Sequence, residues 1–460
     1  MERAVMRLAE AVQLLGARRV GADTGFSAVS TDSRTLAGGE LFVALRGERF
    51  DGHAFLGAAR AAGAAAAMVD EQYSGAAPLP LIAVPDTRRG LGELAQHWRA
   101  RFSPVLVALT GSNGKTTTKE MLAAILRRHG GDQSVLATTG NLNNDIGVPL
   151  TLLRLRGTHR YCAIELGMNH KGEIAYLAGL ARPTIALVNN AQREHLEFMG
   201  SVEEVAAENA SVYAALPADG IAVVNADDSH AALFRRAARG RRVIDFGLEA
   251  PAMIGGGYAL KPLASELHLR TPAGEANATL AIPGLHNVRN ALAASACAHA
   301  AGVPAATIAA GLAVFHPYTG RLQVKRAASG ATVIDDSYNA NPDSVRAAID
   351  VLAAAGGRTV LVLGDMGEVG DMGPDFHLEV GRYARERGIG ALYALGEMTA
   401  HATAGFGRGA RHFASMDELI GATRAAAGAG ATVLIKGSRF MRMERAVSAL
   451  TGAPVSEGAH

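Results

Sequence analysis

A lysine directly behind a glycine turn is the residue of this sequence best suited to chemistry. The run Val105–Glu120 reads VLVALTGSNGKTTTKE. Gly111 and Gly114 bracket Ser112 and Asn113, and Lys115, Thr116 and Thr117 follow at once. In a strand–turn–helix of this kind, backbone N–H groups and the helix dipole converge on one point and favour an anion there. Lys115 adds a mobile positive charge for outer phosphates, and the Thr116 hydroxyl suits Mg²⁺. The general phosphate-loop pattern has four residues between its glycines. Here only two stand between Gly111 and Gly114, so the loop is a narrower variant. Its chemistry is nucleotide binding.

Other residues invite chemical readings alongside plainer ones. Glu165 ends the apolar run Tyr161–Leu166. An acid at the carboxyl end of a buried strand lies where open α/β sheets bind ligands, a place that suits a Mg²⁺ ligand; an ordinary strand-end acid is the alternative. His195 follows the run Thr184–Val188 and taken alone is as well read as a satisfied surface or core histidine. The stretch Thr138–Leu153, TTGNLNNDIGVPLTLL, sets Thr138, Thr139, Asn143 and Asn144 among small residues. That offers donors and acceptors to a ligand, or simple turn chemistry. Asn287 and Asn290 are three apart on one face of a helix beginning after Gly284. They suit a purine edge or ribose, or capping. Asp32, Ser33 and Arg34 form a compact polar group beside the turn Gly38-Gly39. An arginine with hydroxyl donors fits a diphosphate, and an ordinary loop explains the spacing too.

The elements that must hold these residues read as α/β throughout. Val105–Leu109 is a strand opened by Pro104, and Met121, Leu122, Ile125 and Leu126 recur at helical spacing behind the loop. The first hundred residues form a small α/β unit. Residues 230–280 read as short strands and glycine turns. His316–Gly320 with Arg321 marks a second linker. Beyond it, Val333-Ile334, Thr359–Leu363, Ala391–Leu395 and Thr432–Ile435 alternate with alanine-rich helices such as Ser344–Ala355, a doubly wound pattern. The carboxyl ends of these runs carry Asp335–Asn339, Gly364–Met366 and Lys436–Arg439, so polar residues gather at one end of a sheet. The expected domains are 1–102, 103–318 and 319–460, and 460 residues exceed a single core.

Composition narrows the class. Lys plus Arg number 45 against 43 Asp plus Glu, which gives no footing for nucleic acid as a bulk partner. Arg235-Arg236 and Arg241-Arg242 read as solvated faces. Cys162 and Cys297 make no disulfide framework and fit a reducing, cytoplasmic setting. The start MERAVMRLAEAV mixes charges through its apolar positions, unlike a signal peptide. Ala58–Val69 carries Arg60 and is too short to span a membrane.

Several of these stretches resemble one family. TGSNGKTT is similar to the ATP loop of the Mur ligases, and GNLNNDIGVPLTL, AIELGMNHKGEI, IPGLHNVRNALAA, DDSYNANPDS, LGDMGEVG and KGSRFMRME resemble further segments of that family in order. Ser30–Phe55 resembles its UDP-holding segment. The resemblance implies three domains: an N-terminal UDP-substrate domain, a central P-loop ATPase with a mostly parallel sheet and a C-terminal Rossmann-like domain. It implies a monomeric, cytoplasmic ligase using ATP and Mg²⁺ to join D-alanyl-D-alanine to a UDP-N-acetylmuramoyl tripeptide through an acyl phosphate.

By the same likeness, Lys115, Glu165, His195 and Arg321 serve catalysis, and Thr116, Glu165 and His195 hold metal. Gly111–Thr117, Asn287, Asn290, Arg321 and Asp336 bind ATP. Ser33, Arg34, Thr138, Thr139, Asn143, Asn144 and Asn339 bind the other substrates. Binding sites split over three domains imply that the C-terminal domain closes over the central one. The chain departs from the family at one place: Asn209 stands where members carry a carbamylated lysine, four residues before Tyr213. Asn209 cannot be carbamylated, and Glu208 is a possible substitute charge. Other readings are the ligase adding the third amino acid, whose DNPR motif is missing here, folylpolyglutamate ligase, and a nucleotide-dependent binding protein.

Overall fold

Apolar runs without alternation make strands covered on both faces, and Val105–Thr110 is such a strand within a six-stranded parallel sheet. From edge to edge the sheet runs Arg242–Phe246, Ile221–Asn225, Ile185–Val188, Val105–Thr110, Tyr161–Glu165 and Val135–Ala137. After Val105–Thr110 the chain adds two strands on one side and then crosses to add three on the other. The carboxyl end of that strand is therefore a topological switch point, where such sheets bind ligands. Register brings the acid to the same place: Glu165 pairs with Leu109, and Val188 with Thr110.

The computed structural model describes residues 5–48 and 50–454. Residues 1–4, 49 and 455–460, which belong to the terminal spans read from the sequence, lie outside the described residues.

A five-stranded sheet precedes the central one, in the order Arg18–Val20, Leu81–Val84, Ala66–Asp70, Leu41–Val43 and Val29–Ser30. Helix Thr87–Arg99 leaves it, capped by Asp86, whose carboxylate accepts from the N–H groups of Arg88 and Arg89. The helix seats the N-terminal unit on the central one. Trp98 donates to the Leu155 carbonyl, and Arg99 to the carbonyls of Ala181 and Arg182.

The stretch 230–280 resolves into helix Ala231–Ala237, strand Arg242–Phe246 and a three-stranded antiparallel sheet of Gly255–Leu260, Ser265–Thr271 and Gly274–Leu280. Ser265, Leu267 and Leu269 face inward while their neighbours are exposed, the period-two pattern of a sheet covered on one face. Helices Leu285–Ala300 and Ala305–Ala313 then pack on the helix behind the phosphate loop.

The C-terminal sheet runs Gln323–Arg326, Thr332–Asp336, Ala431–Lys436, Arg358–Gly364, Ala391–Leu395 and Ala410–Phe413. All of its pairs are parallel except the first. Its two edge strands are short and largely uncovered, and the sequence reading has no counterpart for them. A single apolar core continues from the central unit, through Val288 and Leu292, into Val345, Ile349 and Leu361 of the C-terminal one. No helix among the described residues is long and apolar enough to cross a membrane. Cys162 and Cys297 are free and buried.

Gly311, on helix Ala305–Ala313, lies against the backbone of the phosphate-loop helix. A Cβ there would sit 2.4 Å from the Ile125 Cα. Gly311→Ala must push two packed helices apart, at an expected cost of about 1–3 kcal/mol. A denaturant titration should show the midpoint falling with an unchanged slope; an unmoved midpoint would mean that the helices have room to spare.

Candidate active site

The phosphate loop can form only with glycine at two places. Gly111 has φ +135° and Gly114 φ +79°. A Cβ on Gly111 would lie 2.9 Å from the Asn190 nitrogen, and one on Gly114 2.2 Å from Asn290 Oδ1. Amides strap the loop from below. The Asn113 N–H donates to Asn190 Oδ1 (2.8 Å), and the side chains of Asn189 and Asn190 both donate to the Asn113 carbonyl (2.7 and 2.9 Å). Asn189 also donates to Asn290 Oδ1 (3.0 Å), Asn290 to Asn287 Oδ1 (3.1 Å) and Asn287 to the Pro283 carbonyl (2.7 Å). Asn287 and Asn290 are both buried behind the loop, with their amides bonded to protein. Asn189 and Asn190 went unassigned in the sequence, where two amides just past a neighbouring strand were the only signal.

Lys115 opens helix Lys115–Gly130. Its ammonium donates to the carbonyls of Gly111 (2.5 Å) and Ser112 (3.2 Å) and to Glu194 Oε1 (3.0 Å). Beside it, Glu165 is buried. Its Oε1 accepts from the Thr116 hydroxyl (3.2 Å) and the Asn143 amide (2.9 Å), while Oε2 is buried with no partner. An unmatched carboxylate oxygen next to a threonine hydroxyl is a donor set for a hard divalent cation. The residues present thus fit Mg²⁺ at Thr116 and Glu165. Among the described residues no three His, Cys, Asp or Glu are grouped to hold a metal, so phosphate oxygens and water must complete such a shell.

Thr138 does not reach the cavity. It is buried, its hydroxyl accepts from the Glu165 N–H (3.0 Å) and its carbonyl from Lys119 (2.8 Å), so it fixes Glu165. The Thr139 hydroxyl accepts from Arg154 (3.0 Å) outside the cavity wall. Asn144 lines the cavity while its Oδ1 accepts from the N–H groups of Ile146 and Gly147. Ser33 and Arg34 stand apart on the N-terminal unit, where the Arg34 guanidinium forks onto Asp32 (2.7–3.2 Å) and holds that carboxyl below the usual range.

All three units contribute to one cavity of about 1400 Å³. Ser112–Thr117, Glu165 and His195 form its floor, and Arg321 and Asn339 line it from the C-terminal side. The Arg321 guanidinium stacks 4.1 Å over the Tyr338 ring, and its Nε is buried without a partner. Asp336 is buried and does not itself line that cavity. Its Oδ2 accepts from Lys436 (2.6 Å) and its Oδ1 from the Leu322 N–H (3.1 Å). Burial pushes the Asp336 carboxyl up and the Lys436 ammonium down, against their mutual attraction. Lys436 also donates to the Asn339 carbonyl (2.8 Å), so the pair holds the Asn339 loop in place.

The segment 192–195 joins the loop to the C-terminal unit. The Asn113 amide donates to Gln192 Oε1 (2.6 Å), and Asn341 Nδ2 donates to Asn113 Oδ1 (2.9 Å). Arg193 forks onto Asp343 (2.6 Å) and Glu379 (2.7 Å) and lies 5.1 Å above the Phe376 ring. His195 has φ +51°, with Nε2 3.5 Å from Glu194 and Nδ1 2.7 Å from Glu368. Burial opposes its charge, but the two carboxylates prevail and raise its pKa to about 9.

A metal at His195 would have to displace this proton from the imidazole. Both neighbours on the following helix are committed to protein partners. Asn209 is buried, accepting from the Thr110 hydroxyl (2.6 Å) and donating to the Val205 carbonyl (2.9 Å). Glu208 accepts from the N–H groups of Gly172 and Ile174 at the start of helix Glu173–Ala181.

A raised histidine pKa stabilises the fold fully below its unfolded value, near pH 6.5, and that stability is lost as pH climbs through about 9. The stability gap between the parent and His195→Gln should therefore be widest near pH 6, narrow from there as pH rises and close by about pH 10. Denaturation midpoints across that range measure it; a constant gap would show that His195 carries no charge at pH 7.

Comparison with known proteins agrees with this arrangement. The chain matches the models of the Mur ligase family catalytic domain over residues 25–99, the Mur ligase middle domain over 109–298 and the Mur ligase glutamate ligase domain over 320–439. It is 42% identical to the UDP-N-acetylmuramoyl-tripeptide–D-alanyl-D-alanine ligase of Escherichia coli, over 96% of this chain and 98% of that one. The crystal structure of MurF from Acinetobacter baumannii superposes with a TM-score of 0.90 at 35% identity, over 96% of this chain and 98% of that one. MurF ligase from Thermotoga maritima in complex with ADP gives 0.80 at 25% identity, over 92% and 96%. With its loop, its acid and its three units in the family's order, this chain belongs to the Mur ligase family.

Proposed function

We infer that the chain is an ATP-dependent ligase that joins D-alanyl-D-alanine to UDP-N-acetylmuramoyl-tripeptide, yielding the pentapeptide precursor of peptidoglycan, ADP and phosphate. One observation carries the reading: Lys115, Thr116 and Glu165 meet in a cavity that the N- and C-terminal units also line. The name of the 42% identical relative supports the substrates.

A carboxylate is a poor acyl donor. The tripeptide's terminal carboxylate takes the γ-phosphoryl group of ATP, the dipeptide's amine attacks the acyl phosphate, and a tetrahedral intermediate expels phosphate. The protein's work is positioning and charge stabilisation. Backbone N–H groups of Ser112–Thr117 cradle the phosphates, and Lys115 turns from Glu194 to the outer ones. Arg321, with its unpartnered Nε, faces them from the C-terminal side. Thr116 and Glu165 would hold Mg²⁺, which screens the anions and polarises the transferred phosphoryl. Asn143 steadies Glu165, and Asn339 lies where the dipeptide enters. The docked C-terminal unit keeps water from the acyl phosphate.

The exposed Arg34, with Ser33, is our proposed contact to the UDP end. Boundaries at 102/103 and 318/319 are part of the same proposal, supported by the separate sheets on either side. A monomer is part of the same proposal. The two buried free thiols support a cytoplasmic setting.

Phosphate release from ATP with UDP-muramoyl-tripeptide should depend on D-alanyl-D-alanine and not on D-alanine, a diamino acid or glutamate. Lys115→Ala should lower kcat by about 10²–10³-fold in that assay; pentapeptide made at the parent rate would overturn the reading. Because Asn209 offers no amine to carbamylate, turnover should be unchanged when bicarbonate and CO₂ are stripped from the buffer. Loss of turnover restored by bicarbonate would show that another lysine carries a carbamate.

A further inference from the structure

Lys119 is buried one turn beyond Lys115 on the phosphate-loop helix, and the reaction as described gives it no part. It does not line the cavity. Its ammonium donates to the Thr138 carbonyl (2.8 Å) and pairs with the Glu120 carboxylate beside it. The Tyr318 ring lies 5.9 Å away, in the linker before Arg321. A charge taken this far out of water is costly and must be matched by what it holds.

What it holds is visible in the sheet. Strand Val135–Ala137 runs parallel to Tyr161–Glu165, with Ala137 opposite Ala163. The Thr138 N–H continues that ladder by donating to the Ala163 carbonyl (3.0 Å). In a parallel ladder a residue donates to one residue of the facing strand and accepts from the residue two places further on. The next rung would therefore run from the Glu165 N–H to the Thr138 carbonyl. It runs instead to the Thr138 hydroxyl (3.0 Å), and the carbonyl is turned to Lys119. Carbonyl acceptors space strands about 4.8 Å apart; a hydroxyl carried on Cβ sets another distance and direction. The residue moved off the regular ladder is Glu165, whose carboxylate meets both Thr116 and Asn143.

We propose that Lys119 is a positioning residue for the metal site: by drawing off the Thr138 carbonyl it leaves Glu165 to the Thr138 hydroxyl and so aims the acid at Thr116. This rests on the reading of Thr116 and Glu165 as Mg²⁺ donors in the ligase. Lys119 acts at a remove, through two hydrogen bonds. Without it the Thr138 carbonyl is free to take the Glu165 N–H. Strand Val135–Ala137 then lengthens by a residue, and Glu165 settles into the regular ladder with its carboxylate displaced from Thr116. Nucleotide still binds the loop, but its metal is held less well.

The test is the affinity of a non-hydrolysable ATP analogue, measured by calorimetry with Mg²⁺ and again with EDTA. The proteins are the parent, Lys119→Met, Thr138→Val and the double variant. Each single variant should lose about tenfold or more in affinity with Mg²⁺ and less than about twofold with EDTA, as expected for partners that orient a metal ligand. Because Lys119 acts through Thr138, the double variant should bind no more weakly than the weaker single one. Losses of equal size with and without metal, or losses that multiply in the double variant, would overturn the proposal. Thr138→Val keeps every charge and nearly the same volume, so it decides the matter if Lys119→Met does not fold. No metal-dependent loss in that variant overturns the proposal as well. An analogue that binds the parent equally with Mg²⁺ and with EDTA would overturn the Mg²⁺ reading of Thr116 and Glu165 itself, a failure seen before any substitution is made.

Discussion

Two anions that repel each other must be brought within bonding distance, and this constraint shapes the whole cavity. Unit charges 4 Å apart repel by about 4 kcal/mol even at an effective dielectric of 20. Fixed positive charge in the right place is therefore the main thing the fold must deliver. Lys115 is that charge. Its position follows from Gly111 and Gly114, whose backbone angles and tight neighbours exclude a side chain. The Glu194 carboxylate balances the lysine locally. Burial opposes ionisation of Glu194, but Lys115 and then His195 outweigh it and keep the carboxyl below its usual range. Charge at the centre of this chain is held in matched pairs that an incoming phosphate can rearrange, so an isolated buried ion is avoided.

The same segment that carries Glu194 also seats the C-terminal unit. Arg193 reaches Asp343 and Glu379, and Arg346 reaches Glu379 from within the C-terminal unit. Asn341 caps helix Pro342–Ala354 through Ser344 and donates to Asn113 in the loop. That helix thus begins where the phosphate loop ends. One peptide on either side of Glu194 stand Arg193 and His195, both in contact with the C-terminal unit. Four consecutive residues, 192–195, thus touch both the phosphate loop and the C-terminal unit.

Much of this was legible in the sequence, for definable reasons. Val105–Leu109, Tyr161–Leu166 and Thr432–Ile435 read correctly as strands because parallel strands covered on both faces need uninterrupted apolar runs. Glu165 stood out by its place at a strand end. The edge strands Gln323–Arg326 and Ala410–Phe413 lack an apolar run, since an edge strand is only half covered. Residues 230–280 resisted because their sheet is covered on one face only, by helices Leu285–Ala300 and Ala305–Ala313 outside that stretch. At the site, sequence marked the polar residues but not which way their polar atoms face. Thr138, Asn287, Asn290 and Asp336 carry the right groups, yet each spends them on protein partners. Asn189, Asn190 and Glu194 were invisible because their partners are dozens of residues away.

The choice of amides as the loop's scaffold has its own logic. Asn189, Asn190, Asn287, Asn290 and Asn341 hold the phosphate loop or one another through neutral hydrogen bonds. A carboxylate in any of these places would cancel the field that Lys115 and the helix start direct at the anion. A lysine or arginine there would compete for the phosphate and draw it off the line of transfer. An amide donates and accepts at once, so it can satisfy a strained turn from both sides without adding net charge. The cluster therefore separates two tasks that a charged scaffold would confuse. Neutral groups fix where the loop is, and the few ions left, Lys115, Glu165 and Arg321, decide what the loop does.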